Sequence, residues 1–556
     1  MDYNDAFGAA NPFEAVINQF SSMARDIARM RAFGPNPKAG MENAIQVLDK
    51  AAHLSPRDPR AGDTNTLQKA VGIGLQPEER VQAIGDKARA RMALLTGEAN
   101  RPGNAHWAAV MSGGRNLLRA AQLGRAVASM AADLPSIQMA AAAIDMNPNA
   151  PIKEFMKSAF TNMSARTARD LGVIMESHAR ASITTARTAG DIWQPEMTSR
   201  FSNFVLRANG MTAITNHEKG AVAIALGSDW ADKAGLSFDQ LPEGLRAFMR
   251  NRDFGSAEWD AIRAPEVTYT DYAGGKHLNP NWFRVKSKLP EAQADDIAIR
   301  FGALIEDHVE MSIPSFSLAG QSAVQFGTRP GTWGGEFVRS MGMYKGPMLS
   351  QMFNMLRRAR DLKQAKYSIP LFIGGLVAMQ TITGAFTIQL KEIWKGRDLR
   401  PMNTLSFWGA AMLQGGGLGI LGDFLSSNTS RAGGGFTETV AGPAFGFIGD
   451  AGRAILPNAA ALLNGEETHF GRDLVQFTRY NNPLASLTVG PAPVSLAFDR
   501  LFWDQFQYLV DPDAHKAWRR QERKRQREFG NSSWYPSGSL SPARAPDLTN
   551  ILGDAR

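Results

Sequence analysis

The 556-residue chain contains no cysteine. Disulfides, thiolate metal sites and a cysteine nucleophile are thereby excluded, and the chain can pass between reducing and oxidising compartments unaltered. Histidine is scarce, at 8 residues spread along the sequence, and no His-rich segment offers the converging ligands a metal site needs. No glycine-rich loop ends in the Gly-Lys-Ser/Thr of a phosphate-binding loop. Gly327 to Glu336 (GTRPGTWGGE) lacks the lysine, and Gly274-Gly275-Lys276 runs into His277. A turn and tight packing are the expected uses of Gly327, Gly331, Gly334 and Gly335. A Gly-x-Ser-x-Gly elbow is also missing. The start, MDYNDAFGAANPF, lacks a basic n-region followed by an apolar stretch. Synthesis and first folding in a cytoplasm, or packaging directly into a particle, are therefore expected.

Two acidic clusters invite a catalytic reading and do not sustain it. Glu176-Ser177 has the acid–hydroxyl order of a lytic transglycosylase helix. Here His178-Ala179-Arg180 follows, and the Gly-Leu-Met-Gln segment of those enzymes is missing. Glu306-Asp307-His308-Val309-Glu310 places Glu306 and Glu310 on one helix face. It reads as a solvated face, and His217-Glu218 reads as equally ordinary. A non-enzymatic protein without cofactor or metal is expected.

What the chain does have is apolar length. Ile369 to Leu390 (IPLFIGGLVAMQTITGAFTIQL) carries no charge, and basic residues flank both ends. A bilayer-spanning helix needs roughly 20 apolar residues. Pro401 to Gly422 is a second uncharged stretch, joined to the first by the polar link from Lys391 to Arg400. Gln380, Thr381, Thr383, Thr387 and Gln389 dilute the first run; Gln414 and Gly415 to Gly417 dilute the second. Both are marginal on a transfer scale. A helical hairpin is expected. Its candidate membrane-interacting residues are Ile369, Leu371, Phe372, Val377, Ile382, Phe386, Ile388, Leu390, Phe407 and Trp408. A buried hairpin in a helical core, or an oligomer interface, would fit the same residues.

Net charge is +8, a balance that suits DNA or anionic lipid. Its densest source lies near the C terminus. Leu501-Phe502-Trp503, Phe506, Tyr508 and Leu509 supply an aromatic face that should hold a terminal helix to its own domain. Lys516, Arg519, Arg520, Arg523, Lys524, Arg525 and Arg527 follow, with Glu522 the one acid among them. These seven are the candidate polyanion- or partner-binding residues; a solvated basic face is the alternative.

The remaining pattern is helical. Asn11-Pro12-Phe13-Glu14 opens a helix as N-cap, first-turn proline and capping-box acid. Phe13, Val16, Phe20, Met23, Ile27 and Met30 then alternate spacings of three and four, a short heptad seam. Packing on its own domain is the expectation for this seam, with self-association the alternative. Breakers fall at Pro77, Pro102-Gly103-Asn104, Asp133-Leu134-Pro135 and Asn209-Gly210. Ala165 to Ala189 reads as a long helix. Glu266 to Leu278, turning at Gly274-Gly275, is the hairpin candidate. The fold class is all-α: an elongated multi-helix protein with a small β-hairpin and a hydrophobic helical hairpin. The regions are an Ala-rich helical part at 1–150, helices at 151–250, and the irregular hairpin segment at 251–290. Helices with the Gly-rich loop occupy 291–366, and the apolar hairpin with a Gly/Ala/Pro-rich stretch occupies 367–465. The aromatic/basic helices lie at 466–530 and an extended tail at 531–556.

Several segments, in this order, resemble the C-terminal region of large virion proteins of tailed bacteriophages, the internal virion or DNA-ejection proteins. They are Phe204 to Thr212 (FVLRANGMT), Ser256 to Asp260 (SAEWD) and Gly327 to Thr332, with Gly335-Glu336 and Tyr344-Lys345. Phe407-Trp408-Gly409, Leu501 to Gln505 (LFWDQ) and the basic helix complete the order. The resemblance spans Pro195 to Phe529 and supplies no catalytic residues. It implies a protein packaged in the capsid interior near the portal with other internal virion proteins. Such a protein leaves before the genome. It then helps form a homo-oligomeric conduit across the host periplasm and inner membrane, with phage DNA as a further contact.

Overall fold

The structure is a computed structural model. It describes residues 12–57, 75–123, 133–160, 211–271, 274–313, 327–343, 361–365, 367–415, 496–511 and 513–550, with short pieces at 197–198, 201–202, 204–205, 321–322, 325, 354, 357–359, 474–475 and 477–479. The helix expected at Ala165 to Ala189, the Glu176 segment and the Gly/Ala/Pro-rich stretch lie outside the described residues. So do residues 416–422 of the second apolar run.

The protein is all-α, with one two-stranded antiparallel sheet among the described residues. The expected breakers mark helix starts. Helix α1 (Pro12–Phe33) begins at its proline and ends before Gly34, whose φ is +84°. Helices α2 (Pro37–His53), α3 (Pro77–Leu95) and α4 (Ala105–Leu123) follow. Then come α5 (Leu134–Ala142), α6 (Ala150–Phe160) and α7 (Met211–Asp232). The Asn36 side chain caps α2 by accepting the Ala39 N–H at 3.2 Å, and a Glu79 capping-box bond closes the start of α3.

The best-packed core lies between α7 and α11 (Glu291–Ser312). Helices α8 (Glu243–Arg250), α9 (Ser256–Ile262) and α10 (Pro280–Lys286) fill the space around them. Trp230 stacks on Phe301 at 5.6 Å, and Phe248, Phe254, Trp259 and Phe283 are fully buried beside them. Fully burying aromatics of this size stabilises by about 1.5–3 kcal/mol each. Strands β1 (Thr268–Thr270) and β2 (Lys276–Leu278) form the expected hairpin, Thr268 opposite Leu278. Asp271 locks its turn, accepting the Gly275 N–H at 2.7 Å and meeting the His277 ring at 3.2 Å.

Helix α11 corrects the expectation of a solvated face. His308 is wholly buried, edge-on to Phe248 at 5.9 Å. Burial, with Arg358 and Arg252 nearby, pushes its pKa well below the usual value, so the ring is neutral. Asp307 pairs with Arg252 and Arg357. Arg252 also reaches Asp361 at 3.2 Å and covers the Phe248 ring at 3.9 Å. Asp307 thus ties α11 to the turn after α8 and to Arg357, while Glu306 and Glu310 are half-buried.

Glu218 on α7 also departs from the reading of His217-Glu218 as ordinary. It is buried, and burial with the negative charge of Asp133 pushes its carboxyl up to about 8 against the pull of Lys219. The glycine-rich loop serves packing, as expected. Gly327 (φ +70°) and Gly331 (φ +73°) take left-handed backbone, and a side chain on Gly331 would strike the Asn104 backbone. Glu336, on α12 (Trp333–Met341), anchors the loop by accepting the Gly331 N–H at 2.5 Å while pairing with buried Arg115.

Candidate functional site: an apolar hairpin and a basic helix

Both arms of the apolar hairpin are helical. Helix α13 (Ile369–Trp394) begins with Ser368 as cap and proline in its first turn; α14 (Leu405–Gln414) begins with Thr404 as cap. Polar residues that dilute α13 are partly satisfied within it. Thr381 donates to the Val377 carbonyl at 2.7 Å and Thr383 to that of Met379 at 3.1 Å. Gln380 and Thr387 are buried, away from the outer face.

The arms cross on two glycines. A side chain on Gly384 would meet Ala411 backbone carbon at 2.9 Å and the Gly415 nitrogen at 2.7 Å, with the Ala411 oxygen closer still. One on Gly415 would meet the Gln380 backbone in the same way. Ala385, Ile388, Phe407 and Ala411 close the seam between the arms.

The other face of α13 is bare. Leu371 is 77 % exposed, Ile382 62 % and Phe386 60 %, and Gly374 and Ala378 lie on the same side. Positions 371, 374, 378, 382 and 386 form one stripe at helical spacing. On α14, Leu405 and Trp408 are exposed too. The ten candidate residues therefore divide. Leu371, Ile382, Phe386 and Trp408 face out, Ile388 and Phe407 are buried, and Ile369, Phe372, Val377 and Leu390 are intermediate. Among the described residues α13 is the helix long and apolar enough to cross a bilayer. Its best 18-residue window has a mean hydropathy of 1.6 and is one-third buried.

The base of the hairpin is fixed by polar contacts that sequence reading missed. Gln389 bridges the link, donating to the Arg400 carbonyl at 2.7 Å and accepting the Arg400 N–H at 2.8 Å. Buried Glu392 collects Arg400 at 2.7 Å, Arg397 at 3.3 Å and Asn531 at 3.3 Å. Asp398 accepts the Ser532 hydroxyl and the Asp547 N–H, and pairs with Arg544. Burial pushes the Asp398 carboxyl up, but the Arg544, Asp547 and Ser532 bonds leave it below its ordinary value. The tail at 531–550 is irregular, and it is strapped across the hairpin base.

The C-terminal helices complete the site. A π-helical turn (Asp499–Asp504) leads into α15 (Gln505–Val510), and α16 (Ala514–Phe529) ends at Gly530 with φ +67°. Trp503 is buried, as a helix anchor should be. Leu501, Phe502, Phe506, Tyr508 and Leu509 instead stand 43–78 % exposed, which corrects the expectation that this face is packed inward. Phe498, Phe502 and Phe506 form a ladder with spacings of 5.0 and 6.2 Å. The inward contact comes from Arg500, which pairs with Asp504 and donates to the Tyr535 and Lys395 carbonyls.

The seven basic residues also divide. Arg525 is buried, bonded to Glu522 and the Ser533 hydroxyl, and belongs to the tail strap. Lys516 meets Asp513 and Lys524 meets Glu528, both in exposed pairs. Arg519, Arg520, Arg523 and Arg527 are exposed. Arg520, Arg523, Lys524, Arg527 and Glu528 line a shallow groove. Such a face can hold anionic headgroups, phosphates or carboxylates. No family model matches this chain, and neither a curated protein nor a solved structure matches it.

Proposed function

We propose that this is a non-enzymatic structural protein of a tailed-phage virion, ejected into the host to help form the channel that delivers the genome. It would reside in the virion interior beside the portal and other internal virion proteins. After ejection it would occupy the host periplasm and inner membrane as a homo-oligomer. The observation that carries this reading is the bare apolar stripe of Leu371, Ile382 and Phe386 on a 26-residue helix. A helix kept only for a soluble core would bury that face. The ladder of Phe502 and Phe506 beside the basic α16 gives a second amphiphilic surface suited to anionic lipid. A static capsid- or portal-associated core protein is the second reading, favoured by the polar strap that fixes the hairpin base.

Flotation of the purified full chain with anionic vesicles separates the two. The membrane reading expects co-flotation that Ile382→Asp abolishes, since a mid-helix charge costs about 2.5–3.5 kcal/mol on the insertion scale. Ile382 is exposed, so the substitution leaves the soluble fold intact. A chain that never floats, at any pH or after mild unfolding, leaves the static reading. Finding the protein in full particles and not in emptied ones tests ejection directly.

A further inference from the structure

Helix α1 presents an apolar surface that stays exposed. The heptad positions Phe20, Met23, Ile27 and Met30 are 66, 48, 47 and 45 % exposed. At these four positions this corrects the expectation that the seam packs on its own domain; the side chains of Phe13 and Val16 lie outside the described residues. Asp26 and Arg31, which flank the seam, are exposed as well, and so is Ala28 on the far side. Helices in proteins owe most of their stability to packing of an amphipathic face, so a 22-residue helix with these four apolar positions exposed calls for a partner.

We infer that the partner is α1 of a second copy of this chain, paired in parallel and in register. Two observations favour this occupant. Phe13, Val16, Phe20, Met23, Ile27 and Met30 alternate spacings of three and four, the a/d seam of a coiled coil, with Ile17 and Ala24 beside it at e. With Phe13, Phe20 and Ile27 at the a positions, Asp26 falls at g and Arg31 at the e of the next heptad. In a parallel pair each g residue faces the e′ residue five further on, so Asp26 of one copy meets Arg31 of the other, twice by symmetry. An antiparallel pair sets e against e′ and g against g′ and forgoes the match. Asp26 already holds Arg29 of its own helix at 2.8 Å, and an ionised carboxylate can accept from more than one donor. The inference is independent of whether α13 enters a bilayer.

The absence of native cysteine makes the test clean. Ile27→Cys in the full chain should form a disulfide-linked dimer under mild oxidation, because a-position residues of a parallel pair face each other. Arg29→Cys, on the polar side, should not. Adding Phe20→Asp to the Ile27→Cys chain should abolish the cross-link. Asp26→Arg should slow it at least several-fold, and Asp26→Arg with Arg31→Asp should restore it. Circular dichroism and monomer yield guard against misfolding, which is not expected at exposed positions. Equal cross-linking at 27 and 29, or none at 27 while wild type sediments as a single chain, overturns the inference. So does a monomeric chain that floats with anionic vesicles and loses flotation with Phe20→Asp, because that assigns the seam to lipid.

Discussion

Gly384→Ala is the sharpest test of how the apolar hairpin is built. One methyl group is added where the backbone allows none: the Ala411 oxygen is nearest, followed by the Gly415 nitrogen at 2.7 Å and the Ala411 carbon at 2.9 Å. Ordinary van der Waals contact lies near 3.5–4.0 Å, so the arms must separate by at least about an ångström. Separation loosens Ala385, Ile388, Phe407 and Ala411, which close the seam. Overpacking of this kind costs about 1–3 kcal/mol, and the gain in helix propensity returns at most about 1 kcal/mol. Gly374 on the same helix is the control, because a methyl there meets nothing within 4 Å. Gly374→Ala should therefore stabilise by about 0.5–1 kcal/mol. Local opening is the right observable, since a chain of this length need not unfold in one step. Hydrogen exchange of amides 380–394 and 405–415 should accelerate several-fold to tens-fold in Gly384→Ala and slow slightly in Gly374→Ala, at about tenfold per 1.4 kcal/mol. If both substitutions slow exchange alike, the glycine crossing does not hold the hairpin together.

The Glu218 carboxyl, raised to about 8 from an ordinary 4.5, sets a pH dependence of definite sign. Its folded state binds the proton more tightly than the unfolded chain, so its stabilisation is full below about pH 4.5 and is lost as pH rises through about 8; Glu218→Gln should flatten that decline in melting-temperature profiles, and an unchanged profile would refute it. The basic helix should respond by position: reversing Arg519, Arg520, Arg523 and Arg527 to Glu should leave stability within about 0.5 kcal/mol while removing the salt-dependent part of binding to anionic vesicles or DNA. Arg525→Glu, by contrast, puts an acid against Glu522 in a buried site and should cost about 3–5 kcal/mol in thermal or denaturant unfolding.

Local signals were legible in the sequence. Proline marked the starts of α1 and α3, Gly274-Gly275 marked the β-hairpin, and uncharged length marked the two arms of α13 and α14. These features depend on a few adjacent residues, so one chain suffices to read them. Which side of a helix is buried was harder. The acids of the α11 stretch suggested water, yet His308 is buried against Phe248 and Asp307 pairs with Arg252 and Arg357 from outside α11. Phe502 and Phe506 suggested anchoring, yet the π-helical turn brings Arg500 and Trp503 inward and leaves those rings outside. The hairpin base was invisible for the same reason. Glu392 meets Asn531 across 139 residues, and Asp398 meets Arg544 across 146. No spacing rule connects such positions.

Those distant contacts also change what the basic balance means. Three buried carboxylates gather arginines from near and far: Glu336 takes Arg115 from 221 residues away, Glu392 takes the neighbouring Arg397 and Arg400, and Asp504 takes Arg479 and Arg500. Each also takes a backbone or amide donor, from Gly331, Asn531 and Gly538 respectively. The planar guanidinium can bond a carboxylate while donating its other N–H groups to irregular backbone, as Arg500 does to the Tyr535 and Lys395 carbonyls. A cysteine-free chain cannot staple loops covalently, and these arginines tie the same kind of loose segment non-covalently. Buried ion pairs add little net stability against an apolar substitute, but breaking one leaves an unpaired charge. They therefore specify where the tail and the glycine-rich loop sit more than they stabilise the fold. Part of the net charge of +8 is accordingly an excess at the surface of α16, where Arg519, Arg520, Arg523 and Arg527 remain exposed, while Arg115, Arg339, Arg358, Arg500 and Arg525 are committed to the interior.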